Sequence, residues 1–181
     1  MAEPLRIVVF GAESTGKTTL AAALARYFGE PWAPEFVREF WDARGGDISA
    51  ADLDAIGRGQ IASEDRAAGA ARRAVFLDTD LLTCMLWNDL LFPGQCPEPM
   101  RLEADARARR TAIYLLCDAD VPFVADPQRC FPERAARERA RSLWRAALVS
   151  RGLPMVEIRG SWAEREATAV AAVGEMLARS R

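Results

Sequence analysis

The apolar run Leu5-Arg6-Ile7-Val8-Val9-Phe10 passes directly into Gly11-Ala12-Glu13-Ser14-Thr15-Gly16-Lys17-Thr18, and the helix-forming stretch Leu20-Ala21-Ala22-Ala23-Leu24-Ala25 follows. Strand, glycine-rich loop and helix in that order constrain the fold more than any other feature of the chain. Such a loop works only where a buried strand delivers it to a helix N-terminus. Gly11 and Gly16 let backbone N–H groups curl around an anion, and the helix dipole adds to the attraction. Glu13, Ser14, Thr15 and Thr19 complete the cradle. Lys17 has the reach for β- and γ-phosphates, and the Thr18 hydroxyl stands where Mg²⁺ is held in such loops. The segment is therefore expected to bind a nucleoside triphosphate.

Composition narrows the chemistry mainly by exclusion. The 181 residues contain no histidine, which removes Ser-His-Asp and Cys-His nucleophiles and His-ligated metals, whereas phosphoryl transfer runs on Asp, Glu, Lys and Mg²⁺. Cys84, Cys96, Cys117 and Cys130 show no metal-ligand spacing, so reduced thiols in a cytoplasmic protein are expected. A net charge of −2 offers no electrostatic case for nucleic acid or an anionic membrane as partner. No apolar stretch approaches the length of a membrane span, and Met1-Ala2-Glu3-Pro4 leaves no room for a signal peptide before the first strand. The expectation is one domain over residues 1–181, with a homodimer compatible with the sequence but not specified by it.

Short apolar runs alternate with helical patterns, which points to βαβ units and a parallel sheet. Strands are expected at 6–10, 32–36, 74–78, 112–117 and 153–158, and helices at 16–28, 49–73, 83–92, 101–110, 133–151 and 162–178. Residues 93–99 form a Pro/Gly-rich surface loop, and 118–132 an irregular, turn-rich segment. The expected class is α/β: an open, mostly parallel five-stranded sheet flanked by helices, with ligand at the carboxyl ends of the strands.

The residues just after each strand are then the informative ones. Asp78-Thr79-Asp80 closes the Val75-Phe76-Leu77 strand, the arrangement in which an acid holds Mg²⁺. If the chain stays extended, Asp78 and Asp80 share a face and both point at the phosphate site. The alternative for Asp80 is to N-cap a helix from Leu81. Glu35 lies where a base for an acceptor hydroxyl is needed, with Arg38 one helical turn on; alternatively Glu35, Arg38 and Glu39 form a surface ion-pair group. After the fourth strand, residues 118–137 read as a lid that closes with arginines over the phosphates, Arg129 and Arg134 being the candidates. Arg137, Arg139 and Arg141 are assigned to a solvated helix face. Trp162 and Arg165 stand where the purine would be held, although Trp162 could equally close the core over the last helix.

Taken together, the loop at 11–18, Pro34-Glu35-x-x-Arg38-Glu39, Gly59-Gln60, Phe76-Leu77-Asp78-Thr79-Asp80-Leu81-Leu82-Thr83, Asp120-Val121-Pro122-Phe123-x-x-Asp126-x-x-Arg129 and Gly160-Ser161-Trp162-x-x-Arg165 resemble the ribosylnicotinamide kinases, the kinase domains of NadR-like proteins. The resemblance runs from residue 5 to about 175. It implies ATP- and Mg²⁺-dependent phosphorylation of the 5′-hydroxyl of nicotinamide riboside, giving nicotinamide mononucleotide. In that reading Lys17 neutralises the phosphates together with Mg²⁺ on Thr18 and Asp78, and Glu35 or Asp80 deprotonates the hydroxyl. Arg129 and Arg134 close over the developing charge, while Glu35, Arg38, Asp80, Phe123 and Asp126 bind the acceptor. A cationic pyridinium suits an acidic, aromatic pocket, for which Glu35, Asp80, Trp87 and Phe123 are candidates. Two departures from the family pattern stand out. Pro122-Phe123 replaces the usual Pro-Trp, and Asp126-Pro127 the usual Asp-Gly. The adenylyltransferase and helix-turn-helix regions of the full-length family architecture do not fit in 181 residues.

Overall fold

A five-stranded sheet builds the centre of the molecule, its middle strands almost wholly buried. The structure, a computed structural model, describes residues 3–123, 128 and 131–180. Strands β1 (Leu5–Phe10), β2 (Trp32–Ala33), β3 (Ala74–Asp78), β4 (Thr111–Cys117) and β5 (Met155–Ile158) pair in the order β2-β3-β1-β4-β5, every pair parallel. The expected open parallel five-stranded sheet is the one observed. Side chains alternate across it, because successive residues of a strand point to opposite faces. Val8, Phe10, Val75, Leu77, Tyr114 and Leu116 pack on one side, and Ile7, Val9, Phe76, Leu115 and Cys117 on the other. Near-continuous Val, Ile, Leu and Phe runs are what a parallel sheet covered on both faces requires.

The helices are α1 (Lys17–Phe28), α2 (Phe36–Ala43), α3 (Leu53–Ala70), α4 (Leu81–Leu91), α5 (Glu98–Ala108), α6 (Arg134–Ser150) and α7 (Trp162–Arg179). Leu20 and Leu24 of α1 and Ala169 and Val173 of α7 cover one face. Ile56 of α3, Leu81 of α4, Met100 of α5 and Trp144 of α6 cover the other.

Boundaries differ from expectation where side chains compete for the backbone. The strand expected at 32–36 stops at Ala33, since Pro34 cannot donate to a ladder. The helix expected over 49–73 begins with a 3-10 turn at Ala50–Asp52, capped reciprocally by Ser49 and Asp52. It ends at Ala70 because Glu30 takes the Arg72 N–H at 2.9 Å and the Arg73 Nε at 3.2 Å, drawing the chain toward β3. Helix α4 starts at Leu81, two residues early, because Asp80 caps it. Helix α5 starts at Glu98, with a proline in its first turn, a favoured place for proline. Among the described residues no helix is long and apolar enough to cross a membrane, and Cys84, Cys96 and Cys117 are free and buried.

Candidate active site

The site forms where β1 and β3 end. Val9 is level with Asp78 across the sheet, so the loop leaving β1 and the acid ending β3 emerge side by side. Gly16 is the N-cap of α1 with φ 81°, a left-handed conformation that side chains rarely tolerate. A Cβ there would also sit 3.3 Å from the Trp162 ring. Ser14, with φ 55°, continues the anion-binding curl of the backbone. The Thr15 hydroxyl and Lys17 Nζ both donate to Ala12 O at 2.8 Å, so the lysine folds back along its own loop.

Ser14, Thr15, Gly16, Lys17, Thr18 and Thr19 of the expected phosphate cradle line a small pocket together with Glu35 and Arg38, and Gly11 and Glu13 do not. A larger cavity of about 200 Å³ opens next to it. Lys17, Glu35 and Arg38 line both. Glu13 also reaches the larger cavity; it accepts the Phe131 N–H. The remaining wall is mostly apolar: Trp41, Ile48 and Ile56 on one side, and Trp87, Leu91 and Phe92 of α4 and its end on the other. Glu35 precedes the first turn of α2 without a side-chain capping bond, and its carboxylate accepts from Arg38 Nε at 3.2 Å.

Asp78 is buried, and its Oδ1 has no hydrogen-bond partner among the described residues. Burial pushes its carboxyl up to about 6, opposed by the charge of Lys17 and reinforced by that of Glu35, and the Thr18 hydroxyl bonds to it. An oxygen left unsatisfied beside a hydroxyl at the phosphate cradle fits a hard divalent cation such as Mg²⁺, which binds by one or two protein oxygens plus phosphate.

Asp78 and Asp80 do not share a face. Thr79 has φ 69°, which turns the chain at the strand end and sends Asp80 the other way. Asp80 accepts from Thr83 N and Thr83 Oγ1 at 3.0 Å each and from Tyr114 Oη at 2.7 Å. It is the helix cap, and it does not line the cavity. Of the acidic and aromatic candidates, Glu35 and Trp87 reach the cavity; Phe123 instead lies under Arg137, 5.6 Å from its guanidinium.

The arginines also redistribute. Arg137, expected on a solvated face, is buried and donates to Val121 O at 3.2 Å. Arg141 bridges Asp118 and Glu157. Arg134, expected over the phosphates, is 74% exposed and pairs with Glu138 one turn on. Arg129 and Asp126 lie outside the described residues. Arg165, expected beside the nucleotide, is buried behind the loop. It donates to Gly160 O at 3.0 Å, Thr15 O at 3.1 Å and Asp118 O at 3.0 Å, and pairs with Asp120. It ties the phosphate loop to the ends of β4 and β5.

Trp41, Cys84 and Asn88 line the cavity without any motif to announce them. The available signal was helical spacing: Val37 and Trp41 on α2, and Cys84 and Asn88 on α4, stand four residues apart and so share a face.

A family model described as an AAA domain matches residues 6–165. The trifunctional NAD biosynthesis/regulator protein NadR of Escherichia coli (strain K12) is 27% identical over 156 residues, 84% of this chain and 37% of that protein. Its counterpart from Salmonella typhimurium is 27% identical over 157 residues, 84% of this chain and 38% of that protein. The chain thus spans well under half the length of these curated relatives. A crystal structure of NadR protein in complex with NR superposes with a TM-score of 0.81 at 25% identity, covering 97% of this chain and 51% of that one. Shikimate kinase from Acinetobacter baumannii shares the fold at 13% identity, with a TM-score of 0.54. With most of its length matched by the family model, from β1 to the first turn of α7, this chain belongs to the AAA domain family.

Proposed function

We propose that the protein transfers the γ-phosphoryl group of ATP to the 5′-hydroxyl of nicotinamide riboside. One observation carries the reading: an apolar, aromatic cavity opens directly off the phosphate pocket, and the two share Lys17, Glu35 and Arg38. An acceptor in that cavity would present its hydroxyl beside the transferred phosphate, which is the positioning that phosphoryl transfer chiefly needs. Tryptophans at 41 and 87 with carboxylates at 13 and 35 suit a flat, cationic pyridinium ring. The likeness to a NadR protein crystallised with NR supports the same acceptor.

In this reading the loop N–H groups and Lys17 bind the phosphates, Lys17 swinging from Ala12 O to the β- and γ-oxygens. Thr18 and Asp78 would hold Mg²⁺, which supplies charge neutralisation at the phosphates. Glu35 accepts the proton of the acceptor hydroxyl, and Arg38 holds the Glu35 carboxylate in place and offers positive charge to the γ-phosphoryl group.

ADP release by the purified protein with Mg-ATP tests this, with nicotinamide riboside beside uridine, adenosine and thymidine. Nicotinamide riboside should stimulate turnover strongly and the others weakly. Lys17→Ala and Asp78→Asn should each lower the stimulated rate by a factor on the order of 10²–10³. Stimulation by another nucleoside instead would discard the acceptor, and turnover indifferent to every acceptor would discard the kinase.

A further inference from the structure

Asn88 of α4 is a polar residue in the lining of the large cavity, one helical turn before the apolar Leu91 and Phe92 of the same lining. Asn88 is 6% exposed and lines the cavity four residues after Cys84 and four before Phe92. Its amide nitrogen lies 3.4 Å from Met100 Sδ and 3.9 Å from Cys96 Sγ. A thioether can accept a hydrogen bond but has no proton to donate, so Met100 determines which way the amide faces: NH₂ toward the sulfurs, oxygen away from them. Among the described residues nothing donates to Asn88 Oδ1. That oxygen is not sealed off as the Asp78 Oδ1 is. Its neighbours along α4 in the cavity lining are Trp87, Leu91 and Phe92, whereas the cationic residues of the described lining, Lys17 and Arg38, also line the phosphate pocket.

We infer that Asn88 determines which pyridine riboside the cavity accepts: its Oδ1 takes an N–H from an uncharged carboxamide and disfavours the corresponding carboxylate. The inference rests on the proposed nicotinamide riboside activity and sharpens it to nicotinamide riboside over nicotinic acid riboside. A carboxylate placed there would be stripped of water beside aromatic rings and opposite a carbonyl oxygen, and among the described lining residues the only cations, Lys17 and Arg38, belong to the phosphate end. A carboxamide brings the donor that Asn88 lacks. Sites built to pair one hydrogen-bonding group discriminate strongly against analogues without it.

The test compares kcat/KM of the full chain for the two ribosides in wild type, Asn88→Leu and Asn88→Ser. Wild type should prefer the carboxamide by about 10- to 100-fold, the scale of one buried hydrogen bond plus an uncompensated charge. Both variants should lose about 10-fold or more on nicotinamide riboside, chiefly through KM, and the ratio between substrates should fall toward one. Circular dichroism verifies folding, and the smaller Ser variant keeps the comparison alive if Leu does not fit. Equal use of both ribosides by wild type, or a preference unchanged in the folded variants, would overturn the assignment while leaving the kinase activity standing. Turnover of neither riboside alongside turnover of another nucleoside would overturn the proposed acceptor and this inference together.

Discussion

Single side chains at this site divide by whether their polar atoms are already occupied. Arg165 has bonds to three backbone carbonyls and an ion pair with Asp120, so its work is to brace the loop from behind. Its charge is fully buried, and truncation would leave Thr15 O, Asp118 O and the Asp120 carboxylate without their donor. Arg165→Ala should cost about 3 kcal/mol, read as a lower urea midpoint at unchanged slope. Arg165→Lys should recover only part of that, because an ammonium cannot fork to four acceptors. Asp78 is the opposite case, a buried acid with an unsatisfied oxygen. The sequence left Asp80 with two readings, and a single backbone angle at Thr79 separates it from Asp78. A β-branched residue with φ 69° is uncommon enough that strand continuation was the natural expectation; the surrounding structure maintains strain of roughly 1–3 kcal/mol there.

At the scale of elements, α2 determines the shape of the cavity. It has no buried residue of its own and is seated by the Gly59-Gln60 pair on α3. Gln60 Oε1 accepts the Phe36 N–H at 3.0 Å, and the Phe36 ring lies so close over Gly59 that a Cβ there would meet it at 2.0 Å. Gly59→Ala should therefore push the start of α2, and Glu35 with it, away from α3. We expect a stability loss of about 1–3 kcal/mol and a rise in KM for the acceptor that exceeds the rise for ATP. Equal effects on both would mean that α2 does not shape the acceptor cavity. The Gly59-Gln60 pair was visible in the sequence, but its purpose was not: a glycine in a helix pattern gives no hint of which ring presses on it. Elements expected from hydrophobic runs were found, with ends displaced wherever Glu30, Asp80 or Pro34 intervened.

Across the whole molecule, a buried polar cluster links four of the helices. Glu64 on α3 accepts from Gln60 at 3.2 Å, from Leu81 N at 3.1 Å and from Arg107 of α5 at 2.9 Å, joining α2, α3, α4 and α5 behind the cavity. Burial, helped by the negative charge of Asp80, pushes the Glu64 carboxyl up to about 7 against the pull of Arg107. A folded-state value above the unfolded one means that this group favours the fold fully below pH 4.5 and loses that contribution as pH rises through 7. Glu64→Gln removes the titration. The stability of wild type relative to this variant should then decline between pH 5 and 8, measured by urea unfolding; a difference independent of pH would refute the shift. Local pattern was enough for the glycine-rich loop between strand and helix, the parallel α/β class and the acid that ends β3, because these follow from periodicity and from residue types with few alternative uses. Which polar atoms stayed available depended on packing between distant parts of the chain. Asp80 and Arg165 were taken up by caps and carbonyls, while Asp78 and Asn88 were left open. That outcome depends on neighbours distant in the chain, Tyr114, Asp120 and Met100 among them, which the local pattern around each residue does not identify.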